Sequence, residues 1–314
     1  MGLLVDGQWV NQWYDTGKTG GAFQRTTAAY RRQIGPGTLF PAQVGRYHLL
    51  VSLACPWAHR TLIFRALKKL EDVISVSVVE PLMLEDGWTF ATPDPVTGAT
   101  ALHQVYTRAD PGYSGRVTVP VLWDKQTNTI VNNESAEIIR ILNSAFDAFT
   151  DVRHDYHPRA LHAEIDRVNA RVYDAINNGV YKAGFATRQA PYDKAVAELF
   201  EALDWAEDLL QHRRWLAGDT LTEADIRLFT TLIRFDPVYH GHFKCNWRLA
   251  SSYPQLWRLV REIYNLPGVA ETVNFDHIKM HYYGSHKTIN PSGVVPRGPV
   301  PDLSPVLAAT VRLA

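Results

Sequence analysis

S-L-A-C-P-W-A-H-R, running from Ser52 to Arg60, sets a cysteine and a proline at the junction of an apolar run and an amphipathic one. Ahead of it, Tyr47 to Ala54 (Y-H-L-L-V-S-L-A) is apolar, partly β-branched and bounded by Gly45 and Pro56, which predicts a buried strand. Behind it, Leu62, Ile63, Ala66, Leu67 and Leu70 recur at helical spacing. Pro56 suits the first helical turn, where its missing N–H is no loss. Cys55 therefore stands where a strand hands over to a helix. Unpaired N–H groups and the positive end of the helix dipole favour thiolate over thiol there, so the position predicts a nucleophile near neutral pH. A buried structural cysteine is the competing reading, since Cys is among the most buried residue types. Ala58 occupies the place of the second cysteine of a dithiol motif, so the thiol is expected to act without a neighbouring partner.

Val73 to Val79 reads as a second strand, completing a β-α-β unit. Residues 81–116 are rich in Gly, Pro, Asp and Thr and exceed the length of an idle loop, so they are expected to cover a site. Thr118 to Trp123 and Thr129 to Asn133 form an expected hairpin, and E-S-A-E-I-I-R-I-L from Glu134 starts an amphipathic helix. Beyond it strand signals vanish. Helical patterns cover His157–Asn178, Pro191–Gln211, Thr222–Phe235 and Tyr253–Leu266, and Thr222 with Asp225 makes a capping box. The expected organisation is an N-terminal extension (1–46), an α/β domain (47–150), an all-helical domain (151–289) and a Pro-rich tail (290–314).

In 314 residues, 32 basic side chains balance 32 acidic ones, so no net field favours nucleic acid or an anionic membrane. The N-terminus M-G-L-L-V-D-G-Q has no basic and apolar leader pattern, and the longest apolar runs are too short to span a bilayer. A cytoplasmic protein without nucleic-acid or membrane partners is expected. Cys55 and Cys245 cannot build a secreted disulfide framework. His277 with His281, and His240, His242 and Cys245, have spacings that raise zinc, but neither group has a full ligand set, so no metal is expected. No Walker loop or G-x-G-x-x-G calls for a nucleotide cofactor.

Two further features could bind a peptide-like ligand. A cis Val119–Pro120 bond would leave the Val119 backbone facing the cysteine, whereas an ordinary trans proline at a strand end carries no such meaning. Glu134 and Ser135, where a strand enters a helix, could hold an ammonium and a carboxylate, or could simply cap the helix.

The order of these features resembles the glutathione transferases: an α/β thioredoxin-like N-terminal domain plus an all-α C-terminal domain. W-L-A-G-D-T-L-T-E-A-D-I-R-L-F (Trp215–Phe229) resembles the capped core helix of that family. A closer resemblance is to the Xi class, the glutathionyl-hydroquinone reductases. It rests on C-P-W-A-H-R (Cys55–Arg60), D-G-W-x-F (Asp86–Phe90), N-N-G-V-Y-K-A-G-F-A (Asn177–Ala186) and H-Y-Y-G-S-H-K-T-I-N-P (His281–Pro291). The resemblance implies Cys55 as nucleophile and Tyr181 as acid/base, with Tyr239 and Tyr282 lowering the thiol pKa. Trp88, Arg116, Val117, Thr118, Val119, Glu134 and Ser135 would bind glutathione, with Pro120 as the structural cis proline. It implies glutathione as cosubstrate with no permanently bound cofactor, glutathionyl-hydroquinones as substrates, and a homodimer. The alternatives are an Omega-like thioltransferase or dehydroascorbate reductase, and a non-catalytic interaction module.

Overall fold

A computed structural model describes residues 2–306, so the end of the expected tail, 307–314, lies outside the described residues. The chain opens with β1 (Leu3–Val5), which turns through Asp6 and Gly7, both at positive φ, into β2 (Gln8–Val10). A D-G pair is the sequence expected for such a two-residue reversal. No structure is expected of the extension from its sequence, yet β1 also pairs with β5 (Gly115–Arg116), making a small antiparallel sheet in the order β2-β1-β5.

The central sheet holds β3 (Tyr47–Val51), β4 (Ser75–Val78), β6 (Val121–Asp124) and β7 (Thr129–Asn132) in the order β4-β3-β6-β7. β3 runs parallel to β4 and antiparallel to β6, and β6 runs antiparallel to β7. α1 (Pro56–Leu67) links β3 to β4, and α3 (Ser135–Ser144) follows β7. With α2 (Leu102–Ala109) in the crossover, this is the thioredoxin-like order. All five residues of β3 are buried, as an apolar run interrupted only by His48 requires of an interior strand, and each large apolar side chain removed from water contributes about 1.5–3 kcal/mol. Its one polar member, His48, is satisfied by Ser75 Oγ at 2.7 Å and Ser77 Oγ at 3.0 Å.

Three expectations need correction. β3 stops at Val51 rather than Ala54, because Cys55 N–H bonds back to Ser52 O in the turn that starts the helix. The first hairpin strand begins at Val121 rather than Thr118, after the Val119–Pro120 bond. Residues 81–116 contain a helix, α2, whose Leu102, Val105 and Tyr106 are buried at i, i+3, i+4 spacing. Gln104 holds its start by accepting from Thr100 N–H at 2.8 Å.

The second half is helical: α4 (His162–Arg171), α5 (Gly179–Gly184), α6 (Gln189–Gln211), α7 (Glu223–Arg234), α8 (Pro254–Tyr264) and α9 (Phe275–Ser285). π-helical stretches extend α4 through Val172–Asn177 and α7 through Phe235–Tyr239. The sequence periodicity gave no sign of α9, whose apolar face is weak; Asn274 caps it by accepting from His277 N–H at 2.9 Å. At the start of α7, Asp225 accepts from Thr222 N–H (2.9 Å), the Thr222 hydroxyl (3.0 Å) and Leu216 N–H (2.7 Å). Each buried donor left unpaired there would cost about 1–3 kcal/mol. The Pro-rich tail lies along α8, where Trp257 Nε1 donates to Asp302 O at 3.0 Å and Asn265 to Leu303 O at 2.9 Å.

α1 is buried nearly all round because it packs against α3 of its own domain and α7 of the helical one. Its Arg60 stitches the two together, donating to Asn177 Oδ1 at 2.9 Å and Ser135 Oγ at 3.4 Å. Asn177 in turn donates to Thr231 Oγ1 at 2.8 Å. Burial pulls the Arg60 guanidinium down to about 9, a measure of how far this link is from water.

Candidate active site

Cys55 is the N-cap of α1, with Pro56 directly after it, so the cavity it faces lies at a helix start. Its thiol donates to Val119 O at 3.7 Å, across the cis Val119–Pro120 bond. The elbow is held from behind by Arg234, fully buried at the end of α7. Arg234 Nε donates to Ala54 O at 2.8 Å and Nη2 to Leu53 O at 3.1 Å, while Nη1 meets His59 Nδ1 at 2.9 Å.

Although the side chain is partly open to the cavity, dense protein surrounds it and burial pushes the thiol pKa up. The Ala58 and Trp57 N–H groups, then Arg234 and Arg25, pull the other way without overcoming burial. This corrects the expectation of a thiolate near neutral pH: the helix start helps as anticipated, but desolvation is the larger effect. Alkylation of Cys55 by iodoacetamide in the free protein should therefore keep accelerating beyond about pH 8.5, where an ordinary thiol reaches half ionisation. A rate that levels off by pH 7 would contradict this account of the site.

Two neighbouring cavities, one of them lined by Cys55, share Arg25, Trp57, Arg116 and Thr118. The more polar one ends on Asn133, Glu134 and Ser135. Glu134 faces this cavity beside Ser135 and also caps α3, accepting from Ala136 N–H at 3.0 Å. Pro120 and Thr118 form part of its wall. The second cavity is lined by Cys55, Trp88, Val117, Val119, Tyr181 and Tyr282, among others. Trp88 is fixed there by stacking on His281, with ring centroids 4.7 Å apart. Arg116 lies over the Tyr14 ring at 4.2 Å and donates to Gln12 O, so the extension buttresses it.

The three tyrosines promoted by the resemblance form one buried cluster. Tyr181 and Tyr282 hydroxyls are 2.6 Å apart, and Tyr282 and Tyr239 are 3.0 Å apart. Burial raises the pKa of all three, and for Tyr181 the neighbouring Cys55 charge adds to the effect, so each keeps its proton. Tyr239 and Tyr282 were expected to donate to the thiol; in the structure their hydroxyls are engaged within the cluster, and neither bonds to Sγ. Gly184 makes room for the cluster's wall, since a Cβ there would lie 2.2 Å from the Phe243 ring, which packs on Tyr181.

The histidines raised as zinc ligands have other bonds. His281 Nδ1 meets Pro81 O at 3.0 Å, and His242 pairs with His286 at 3.1 Å rather than with Cys245. Burial holds His281 down to about 3 and His242 to about 4, so both are neutral. Among the described residues, no group of three His, Cys, Asp or Glu is placed to hold a metal ion. Cys245 is wholly buried and free, with its thiol pushed up by burial. No helix among the described residues is long and apolar enough to cross a membrane. Sequence reasoning missed Arg25, Phe23 and Tyr14 of the extension, which line the cysteine cavity, and Arg234 behind the elbow. Periodicity carries no signal for any of them.

Residues 54–145 match the family described as glutathione S-transferase, N-terminal domain, and residues 189–262 the family described as glutathione S-transferase, C-terminal domain. The chain is 57% identical to glutathionyl-hydroquinone reductase YqjG of Escherichia coli K12, over 99% of both chains. It is 56% identical to glutathionyl-hydroquinone reductase PcpF of Sphingobium chlorophenolicum, over 96% of this chain and 98% of that one. A Xi-class glutathione transferase structure from Natrialba magadii superposes with a TM-score of 0.90 at 49% identity, covering 97% of this chain and 95% of that one.

Proposed function

The chain belongs to the glutathione S-transferase family, among the Xi-class glutathionyl-hydroquinone reductases, and from that membership we propose that it reduces glutathionyl-hydroquinones to hydroquinones through Cys55. The observation that carries the chemistry is a single cavity onto which both the Cys55 thiol and the proton-bearing tyrosine cluster open. Glutathione's γ-glutamyl end lies against Glu134 and Ser135, its backbone pairs with Val119, Arg116 to Thr118 flank it, and Trp88 packs on it.

Cys55 sulfur attacks the glutathione sulfur of the conjugate. The sulfur–aryl bond breaks, a Cys55–glutathione disulfide forms, and the ring carbon takes a proton. A bare aryl carbanion is too poor a leaving group, so protonation of the ring must accompany the attack. Tyr181 supplies that proton, with Tyr282 and Tyr239 behind it as a reservoir rather than as donors to sulfur. The proton released by Cys55 goes to the hydroquinone as it leaves, so no proton is gained or lost overall. A second glutathione then attacks the mixed disulfide, releasing oxidised glutathione and restoring the thiol. Ala58 in place of a second cysteine leaves the mixed disulfide to that cosubstrate. The assembly is read as a cytoplasmic homodimer, the setting in which reduced glutathione is available to the site.

Product analysis with a glutathionyl-hydroquinone beside dehydroascorbate tests the reading. Hydroquinone and oxidised glutathione in equal amounts, with slower reduction of dehydroascorbate, are expected. Dehydroascorbate as the faster substrate by tenfold or more would replace it with an Omega-like activity.

A further inference from the structure

The N-terminal extension places one cation where the two cavities meet. Arg25 lines both of them. Its guanidinium carbon sits 4.8 Å from the Trp57 ring centroid and 4.9 Å from that of Tyr181. Nε donates to Asn178 Oδ1 at 2.8 Å, which orients the fork; among the described residues this is its only hydrogen bond to protein, so both terminal NH2 groups remain for a ligand. The charge reaches the reacting groups, because it pulls down the pKa of both Cys55 and Tyr181.

Cleavage of the conjugate creates a need for such a cation. Tyr181 protonates the sulfur-bearing ring carbon while a phenolic proton returns to the tyrosine cluster, a tautomerisation with no net proton change. The Cys55 thiolate then attacks sulfur. The electron pair of the breaking carbon–sulfur bond restores the aromatic ring and leaves its charge on the phenolic oxygen. That phenolate finally takes up the proton that Cys55 released. Charge thus develops on an oxygen of the quinol ring beside Tyr181. A planar fork held over that tyrosine can accept it through two charge-assisted hydrogen bonds.

We propose that Arg25 is a catalytic residue whose two terminal NH2 groups hold the phenolate oxygen of the departing hydroquinone. The inference rests on the reductase reading above and adds to it a preference: among ring substrates, those with the least acidic phenols depend on Arg25 most. It also assigns the extension a part in catalysis.

The test compares wild type, Arg25→Gln and Arg25→Lys in two reactions. One is reduction of glutathionyl-hydroquinones graded in phenol acidity by ring chlorination. The other is glutathione-dependent reduction of a small aliphatic glutathione mixed disulfide, which uses Cys55 but generates no phenolate. Arg25→Gln should lower kcat for the unchlorinated conjugate by about a hundredfold, the usual loss of one oxyanion donor. The loss should shrink steadily with chlorination, and disulfide reduction should fall far less than reduction of the unchlorinated conjugate, because it loses only the pull of Arg25 on the Cys55 thiol. Arg25→Lys, which keeps the charge but not the fork, should lie between Gln and wild type on the same ratio and serves alone if the Gln variant does not fold. Equal losses in both reactions, a loss independent of phenol acidity, or a raised KM for glutathione at unchanged kcat would each overturn the proposal. Wild type that reduces the disulfide but no glutathionyl-hydroquinone would instead bring down the reductase reading itself.

Discussion

Replacing Cys55 by Ser is expected to lower glutathionyl-hydroquinone turnover by at least a thousandfold while glutathione still binds. The hydroxyl is isosteric enough to leave the start of α1 intact, where the side chain makes only the long contact to Val119 O and accepts no capping hydrogen bond. It cannot form the disulfide on which both halves of the reaction depend, and loss of a nucleophile commonly costs several powers of ten. Calorimetry with glutathione and steady-state kinetics check the two sides of the statement. The intermediate itself should appear in the wild-type protein treated with conjugate alone, as an intact-mass increase of about 305 Da on Cys55, glutathione less two hydrogens. Turnover surviving in the Ser variant, or an adduct on Cys245 instead, would require a different nucleophile.

Tyr181→Phe should have the next largest effect, lowering kcat for the conjugate by about a hundredfold to ten-thousandfold, the range for removing a positioned general acid. Two properties of the site set that magnitude. Tyr181 shares the cavity with Cys55, and burial keeps its proton in place, so the ring has a donor that water cannot easily replace. The substitution leaves Tyr282 and Tyr239 bonded to each other, so the cavity wall should persist. Reduction of an aliphatic glutathione mixed disulfide, in which a thiol and not a carbon leaves, should be nearly unaffected. If hydroquinone release stayed at the wild-type rate, the acid would have to be sought elsewhere among the groups lining the cavity.

Much of this architecture was legible from residue order because each signal was local. Proline after cysteine marked the strand-to-helix junction, the mostly apolar run of Tyr47 to Val51 marked an interior strand, and Thr222 with Asp225 marked the start of α7. What escaped were effects that only tertiary contact creates. α2 sits in a stretch dominated by turn residues, and α9 has too weak an apolar stripe to announce itself. Arg25 and Asn178 are far apart in sequence and meet only because the extension crosses the helical domain. The balance at Cys55 lies beyond the sequence for the same reason: a helix start can be read from one segment, but the burial opposing it comes from several. The tyrosine roles came from family resemblance, while their hydrogen bonding to one another required the fold.

The hold of Arg234 on the carbonyls of Leu53 and Ala54 has a bearing on biosynthesis. The residue that secures the cysteine's turn is made long after the cysteine, roughly ten to forty seconds later at ordinary rates of translation. Through that interval the nascent chain carries Cys55 without its clamp, without the tyrosine cluster and without the burial that restrains its ionisation. A ribosome-bound fragment would therefore expose an ordinary thiol, and the substrate chemistry would arise only when the second half of the polypeptide closes over the first.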